Sequence, residues 1–257
     1  MPTVARLCVT PVKSLQLLHP VEVRLEPQGI PGNRLFFLVD GQRRLFGDAQ
    51  YGPLVRVVPS YAADTEWLEL RLPDGSIAAG DASVLGAAIE TNFWGRVVPG
   101  HLVEGPWSEF LSRFVGATVR LVRCDRPGDG NDEAHVTLVA RESVAELARL
   151  GGHAGPLDPG RFRMNLELEG CSPHEEDTWE GRLVRIGGAA VRIHGKVPRC
   201  VITTQSSTTG LKDFETLTVI ASYRETMREG GRGLPFGMYA EVEEPGAVRA
   251  GDPVVPL

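Results

Sequence analysis

HGKVPRCVITT, residues 194–204, sets Cys200 behind a Pro-Arg pair and ahead of a β-branched run. A packed cysteine is a small apolar residue, whereas an ionised one is a nucleophile or a soft metal ligand. Lys196 and Arg199 stand near enough in the chain to favour a thiolate, although an extended chain points Arg199 to the face opposite Cys200. Three uses stay open for the thiol: nucleophile, metal ligand or core residue. A nucleophile needs a base, and His194, across a proline, is at no recognised spacing for a thiol hydrolase. Elsewhere a basic residue taken singly, Lys13 for instance, reads as an ordinary solvated face.

Cys8, Cys124 and Cys171 are widely separated, so no zinc or iron–sulfur spacing occurs, and no glycine-rich strand-to-helix fingerprint marks a flavin or nicotinamide site. The 257 residues are 42% hydrophobic and 23% charged, a folded globular balance, and the net charge of −6 argues against a broad nucleic-acid or anionic-membrane surface. No apolar run nears the roughly 20 residues of a membrane span, and no signal-peptide core follows Met1. A cytoplasmic protein with reduced thiols and no membrane anchor is expected.

The elements that must position these residues are mostly strands. VEVRLE (21–26) and WLELRLPDGS (67–76) alternate with period two, RLFFLVD (34–40) is a denser apolar run, and the short separations suit an antiparallel meander or barrel. Pro106 opens a predicted helix in WSEFLSRFVG, with Gly116 as its stop. ATVRLVRC (117–124) reads as a strand, and DRPGDGNDEA (125–134) as a mobile, exposed connection. SVAELARLGG (143–152) predicts a helix with Ser143 and Glu146 as a capping box. RLVRIGGAAVRIHG turns at Gly-Gly, VITT predicts a strand with Cys200 at its mouth, TLTVIASYRE predicts a helix, and FGMYAEVEEPGAVRAGDPVVP closes with strands.

TPVKSLQLLHPVEVRLEPQGIPGNRLFFLVD resembles the opening of the N-terminal β-barrel domain that accompanies MOSC domains. RFRMNLELEG, EEDTW, VPRCVITTQSSTTG, LTVIASYRE, FGMYAEV and AGDPV then resemble the MOSC domain itself, in its order. The resemblance spans nearly the whole chain and is nearest to the amidoxime-reducing components and bacterial N-hydroxylated-base reductases. It implies an α+β, mainly β fold: an N-terminal β-rich domain at 1–104 packed on a MOSC-type β-barrel with flanking helices at 105–257, with the cofactor between them.

That family binds the molybdenum cofactor, a pterin with a dithiolene and a phosphate, through the cysteine of its Arg-Cys pair. The resemblance thus assigns Cys200 as the molybdenum ligand and catalytic residue, and Lys13, Ser14, Arg34, Arg163, Asn165 and Arg199 as cofactor-binding. It implies a reductase of small N-hydroxylated compounds, or alternatively a cofactor carrier or sulfur-transfer binding protein. The large pyridoxal-phosphate domain of the sulfurase is missing from this chain, as is the ferredoxin-like domain of some bacterial relatives. A separate electron donor is therefore expected, either ferredoxin or a cytochrome/flavin reductase system. Three positions depart from the family pattern. Val197 replaces the first cysteine of C-x-R-C, Met164 replaces a proline, and RRLFGDAQYGPLV lacks an expected arginine that Arg43 or Arg44 could supply.

Overall fold

The structure, a computed structural model, describes residues 1–224 and 233–257. Its largest sheet has seven strands in the spatial order Thr3–Leu7, Leu166–Glu169, Val136–Ala140, Leu234–Glu244, Ala189–Arg199, Leu183–Ile186 and Val254–Pro256. A Thr3–Pro253 bridge and the Val4 N–H donating to Asp252 O at 2.9 Å bring the two edges together, giving a nearly closed barrel. Alternation along these strands turns Leu7, Leu138, Leu166, Val191 and Met238 into one core. The fold is mainly β with flanking helices, as expected.

Val136–Ala140 and Leu166–Glu169 run parallel. A parallel pair cannot be joined by a hairpin, and the helix Arg141–Leu150 lies in the connection. Ser143 is not its cap. The helix begins two residues earlier, with extended Ala140 before it, and the Ser143 hydroxyl donates instead to the buried Glu176 carboxylate at 2.8 Å. Glu146 pairs with Arg149. A buried acceptor outbid the local capping motif.

A second sheet orders Leu45–Phe46, Phe36–Asp40, Val119–Cys124, Arg96–Val103 and Leu85–Phe93, beside a three-stranded meander of Val58–Ala62, Trp67–Arg71 and Ile77–Asp81. The helix Trp107–Val115 packs Trp107 and Leu111 onto this half, and Gly116 ends it at φ 70°. Thr216–Tyr223 is helical as predicted, while Glu225, at the end of that predicted stretch, lies outside the described residues.

The first strand belongs to the seven-stranded barrel, yet Val12 already bridges Phe36 of the second sheet. Lys13, Ser14 and Arg34 therefore sit on chain that crosses between the sheets. That path brings them to residues 163 and 199.

Candidate functional site

Ser14, Arg34 and Arg163 have φ of 73°, 51° and 52°, three of seven non-glycine residues in the left-handed region among the described residues. Such conformations cost about 1–3 kcal/mol each and persist where the surroundings impose them. Here they turn side chains into a single, partly buried cluster. The Arg34 Nη2 donates to Arg163 O at 3.0 Å, and the Arg163 Nη2 donates to Leu15 O at 2.6 Å.

Four cations, Lys13, Arg34, Arg163 and Arg199, share this region with two carboxylates that the sequence did not single out. Asp132 receives a 2.5 Å bond from Lys13 Nζ and lies 3.5 Å from Arg34 Nη1. Asp48, 3% exposed, accepts from Ser14 Oγ at 3.0 Å and lies 3.7 Å from Arg163 Nε. Burial pushes the Lys13, Arg163 and Arg199 side chains below their ordinary values, and the repulsion of Arg34 adds to this at each of them. The positive charge is thus concentrated and only partly matched.

Partial loss of water would raise the Asp132 carboxyl, but Lys13 and Arg34 outweigh it and hold it well below the usual carboxylate range. A folded value lowered in this way gives stability that is present above the ordinary Asp value of about 4 and is lost as pH falls through the folded value. Asp132→Asn should therefore flatten the fall of Tm below about pH 4. An unchanged acid limb in a Tm-against-pH series would contradict this pairing.

Asp132 reaches the cations because its loop lies flush on Arg34. A Cβ on Gly130 would come 1.9 Å from Arg34 O, and the Gly130 carbonyl accepts from Lys13 at 3.2 Å. DRPGDGNDEA is accordingly anchored rather than a free exposed connection. Gly130→Ala should cost about 1–3 kcal/mol by forcing backbone apart, read as a lower Tm together with weaker anion binding; an unchanged Tm would show that the loop yields.

Cys200 stands just past the strand Ala189–Arg199, extended at φ −118° and ψ 179°, and its side chain is exposed. VITT is a short 3-10 turn, not a strand. The Thr203 and Thr204 hydroxyls donate to the carbonyls of Cys200 and Val201, at 3.0 and 2.7 Å, and so supply the turn that β propensity opposed. Arg199 points inward, opposite to the thiol: Nη2 donates to Phe162 O at 2.5 Å, Nη1 to Met164 Sδ at 3.4 Å, and the guanidinium lies 5.3 Å from the Phe162 ring centre. Its buried Nε has no partner among the described residues. Met164 thus takes up a contact with Arg199 at the position of the family's proline.

Other expectations are changed by the geometry. Arg44 pairs with Asp40 on the surface, and Arg43 is exposed, so neither supplies the arginine expected of residues 43–55; that segment contributes Asp48 instead. Asn165 is buried with its carbonyl accepting from Thr137 N and Oγ1 and its amide donating to Cys8 O. It ties strands together two residues from Arg163. Lys196 lies 3.8 Å from Asp177, and His194 stacks on Tyr239, so no Cys200–His194 dyad forms. Val197 is buried among apolar residues.

The chemistry fits an anionic, soft-metal cofactor on three counts: surplus cations that are largely out of water, a buried guanidinium nitrogen without a partner among the described residues, and an exposed thiol on the residue that follows it in the chain. The MOSC domain model matches residues 125–255. The chain belongs to the MOSC domain family. It is 25% identical to mitochondrial amidoxime-reducing component 1 of Homo sapiens over 98% of this chain and 82% of that protein. Mitochondrial amidoxime reducing component 2 of Rattus norvegicus is 41% identical over 36% of this chain, and the matched region spans 28% of the rat protein. Molybdenum cofactor sulfurase of Oryza sativa subsp. japonica is 35% identical over 52% of this chain and 19% of its own length. Among solved structures, the YUAD protein from Bacillus subtilis aligns over 99% of this MOSC protein and 94% of itself, with 16% identity and a TM-score of 0.45. No helix among the described residues is long and apolar enough to cross a membrane.

Proposed function

We propose that this MOSC protein binds the molybdenum cofactor and reduces small N-hydroxylated compounds, such as amidoximes and hydroxylamines. The observation that carries the reading is an exposed Cys200 directly following Arg199, a half-buried cation whose Nε is buried and unpartnered among the described residues, in a cluster with more positive than negative charge. Lys13, Arg34 and Arg163 would hold the anionic end of the cofactor, Ser14 and Asn165 would fix the backbone that presents them, and Cys200 would ligate the metal. When bound, the cofactor supplies the two-electron chemistry that removes oxygen from an N–OH group. The chain's own part is to neutralise and orient the anion and keep its far end out of water. Exposure of Cys200 leaves the metal end open to substrate.

The names of the amidoxime-reducing relatives support the substrate class. Electrons would come from a separate ferredoxin or cytochrome/flavin reductase system, docking in the cytoplasm through a small, partly charged interface. The proposed two-domain organisation is best divided near residue 124, because the strand Val119–Cys124 pairs with Phe36–Asp40 and Arg96–Val103 rather than with the barrel.

Similarity to a molybdenum cofactor sulfurase favours a second reading, in which the chain carries the cofactor without turnover. One experiment separates them. Metal-loaded protein with an artificial low-potential reductant should convert benzamidoxime to benzamidine and should be idle with NADH or NADPH alone. Transfer of the cofactor to an apo-enzyme with no benzamidine formed would make it a carrier.

A further inference from the structure

His174 precedes the 3-10 turn Glu175–Trp179 in the left-handed conformation, at φ 61°. Its half-buried imidazole meets the end of the helix Thr216–Tyr223 on one side and the strand Leu234–Glu244 on the other. Nδ1 lies 2.6 Å from Arg224 Nη1, Nε2 lies 3.2 Å from the Tyr223 hydroxyl, and the ring meets that of Phe236 edge-on at 5.5 Å. A guanidinium carries donors only. The nitrogen that faces Arg224 is therefore bare, and the imidazole is neutral with its proton on Nε2.

Arg224 joins the other groups. Its Nη2 donates to Asp177 Oδ2, its guanidinium lies 5.9 Å from the Phe236 ring centre, and its buried Nε has no partner among the described residues. Every element packed around His174 brings a charge: Asp177 from its own turn, Glu146 from the helix Arg141–Leu150, Lys196 from the strand Ala189–Arg199, and Arg224 from the end of the last helix. Burial pushes the imidazole below its ordinary value, Arg224 adds to this and Lys196 adds less, against Asp177 and Glu146. A second proton on the ring would set N–H against N–H between two cations 2.6 Å apart, so the contact has to open.

Phe236 carries the consequence inward. Its ring stacks on Phe162, with centres 4.4 Å apart and planes 13° apart, and the Arg199 guanidinium lies 5.3 Å from the Phe162 ring centre. We infer that His174 is a positioning residue for Arg199: the neutral ring holds Arg224 and Phe236 in place, and protonation releases them and loosens the aromatic pair on which Arg199 lies. The bearing on the cofactor rests on the proposed role of Arg199, whereas the release itself does not.

A folded value below the ordinary imidazole value of about 6.5 gives stability that is present above that pH and is lost as pH falls toward the folded value. NMR of the full-length chain reads this directly, with the His174 signal identified by its absence from His174→Asn. That signal should titrate with a midpoint below about 6.5, and the Phe162 and Phe236 ring signals and the Arg199 Nε–H should move with the same midpoint. Asparagine keeps an acceptor opposite Arg224, tolerates the left-handed backbone and takes up no proton. The Tm of His174→Asn should match the parent at pH 7.5 and exceed it by about 2–4 °C at pH 5.5, the worth of one hydrogen bond in a chain of this size. His174→Phe keeps a ring but offers no acceptor, and should lie below His174→Asn by a similar amount at both pH values. A midpoint at or above about 6.5, Phe162 and Arg199 signals that ignore the titration, a parent–Asn difference in Tm that does not change with pH, or a His174→Phe variant as stable as His174→Asn would overturn the inference. None of these signals needs pterin or metal, so protein that binds no cofactor would contradict the proposed function and leave the His174 release standing.

Discussion

Cys200→Ser is expected to lower bound molybdenum more than about tenfold while leaving Tm nearly unchanged, because serine is a harder and rarely ionised ligand. Position 200 is exposed and its backbone is extended, so the substitution neither opens a cavity nor strains the chain. Pterin should fall less than molybdenum, since the cationic cluster holds the opposite end of the cofactor. Metal content by mass spectrometry and pterin content by fluorescence, measured on one preparation, separate the two. Equal molybdenum in variant and parent would make Cys200 an unemployed surface thiol.

The second large effect belongs to the phosphate end. Lys13→Ala and Arg34→Ala should each weaken cofactor retention by about 1.5–3 kcal/mol, the worth of a charge-assisted hydrogen bond to a desolvated anion. Both cations also face Asp132, so their losses should not add. In the double variant Asp132 loses both partners, and the acid limb of its stability should flatten as in Asp132→Asn. Pterin that co-purifies undiminished with a folded double variant would reduce the pair to a structural ion-pair network.

The strands Glu22–Leu25 and Trp67–Arg71 could be read from the sequence because burial on one face imposes period-two alternation, and the helix Trp107–Val115 because its apolar spacing and Gly116 agree. VITT and Ser143 misled for a common reason: a side-chain hydroxyl found a partner that local propensity does not encode. For VITT the partners are carbonyls three residues back, and for Ser143 a carboxylate 33 residues away. Lys13, Arg34, Arg163 and Arg199 were singled out through motif resemblance, and the structure gathers them. Asp48 and Asp132 were missed, since an acid in a glycine-containing loop looks like any solvated turn. Their signal was indirect: several cations gathered in one buried place require counter-charge.

In the proposed function, Cys200 and the four-cation cluster together hold one molybdenum cofactor. Elemental and pterin analysis of the intact protein, purified from a host that makes the cofactor, tests it most directly. Close to one molybdenum and one pterin per chain are expected, both retained through gel filtration. Protein that is folded, monodisperse and free of both would contradict it.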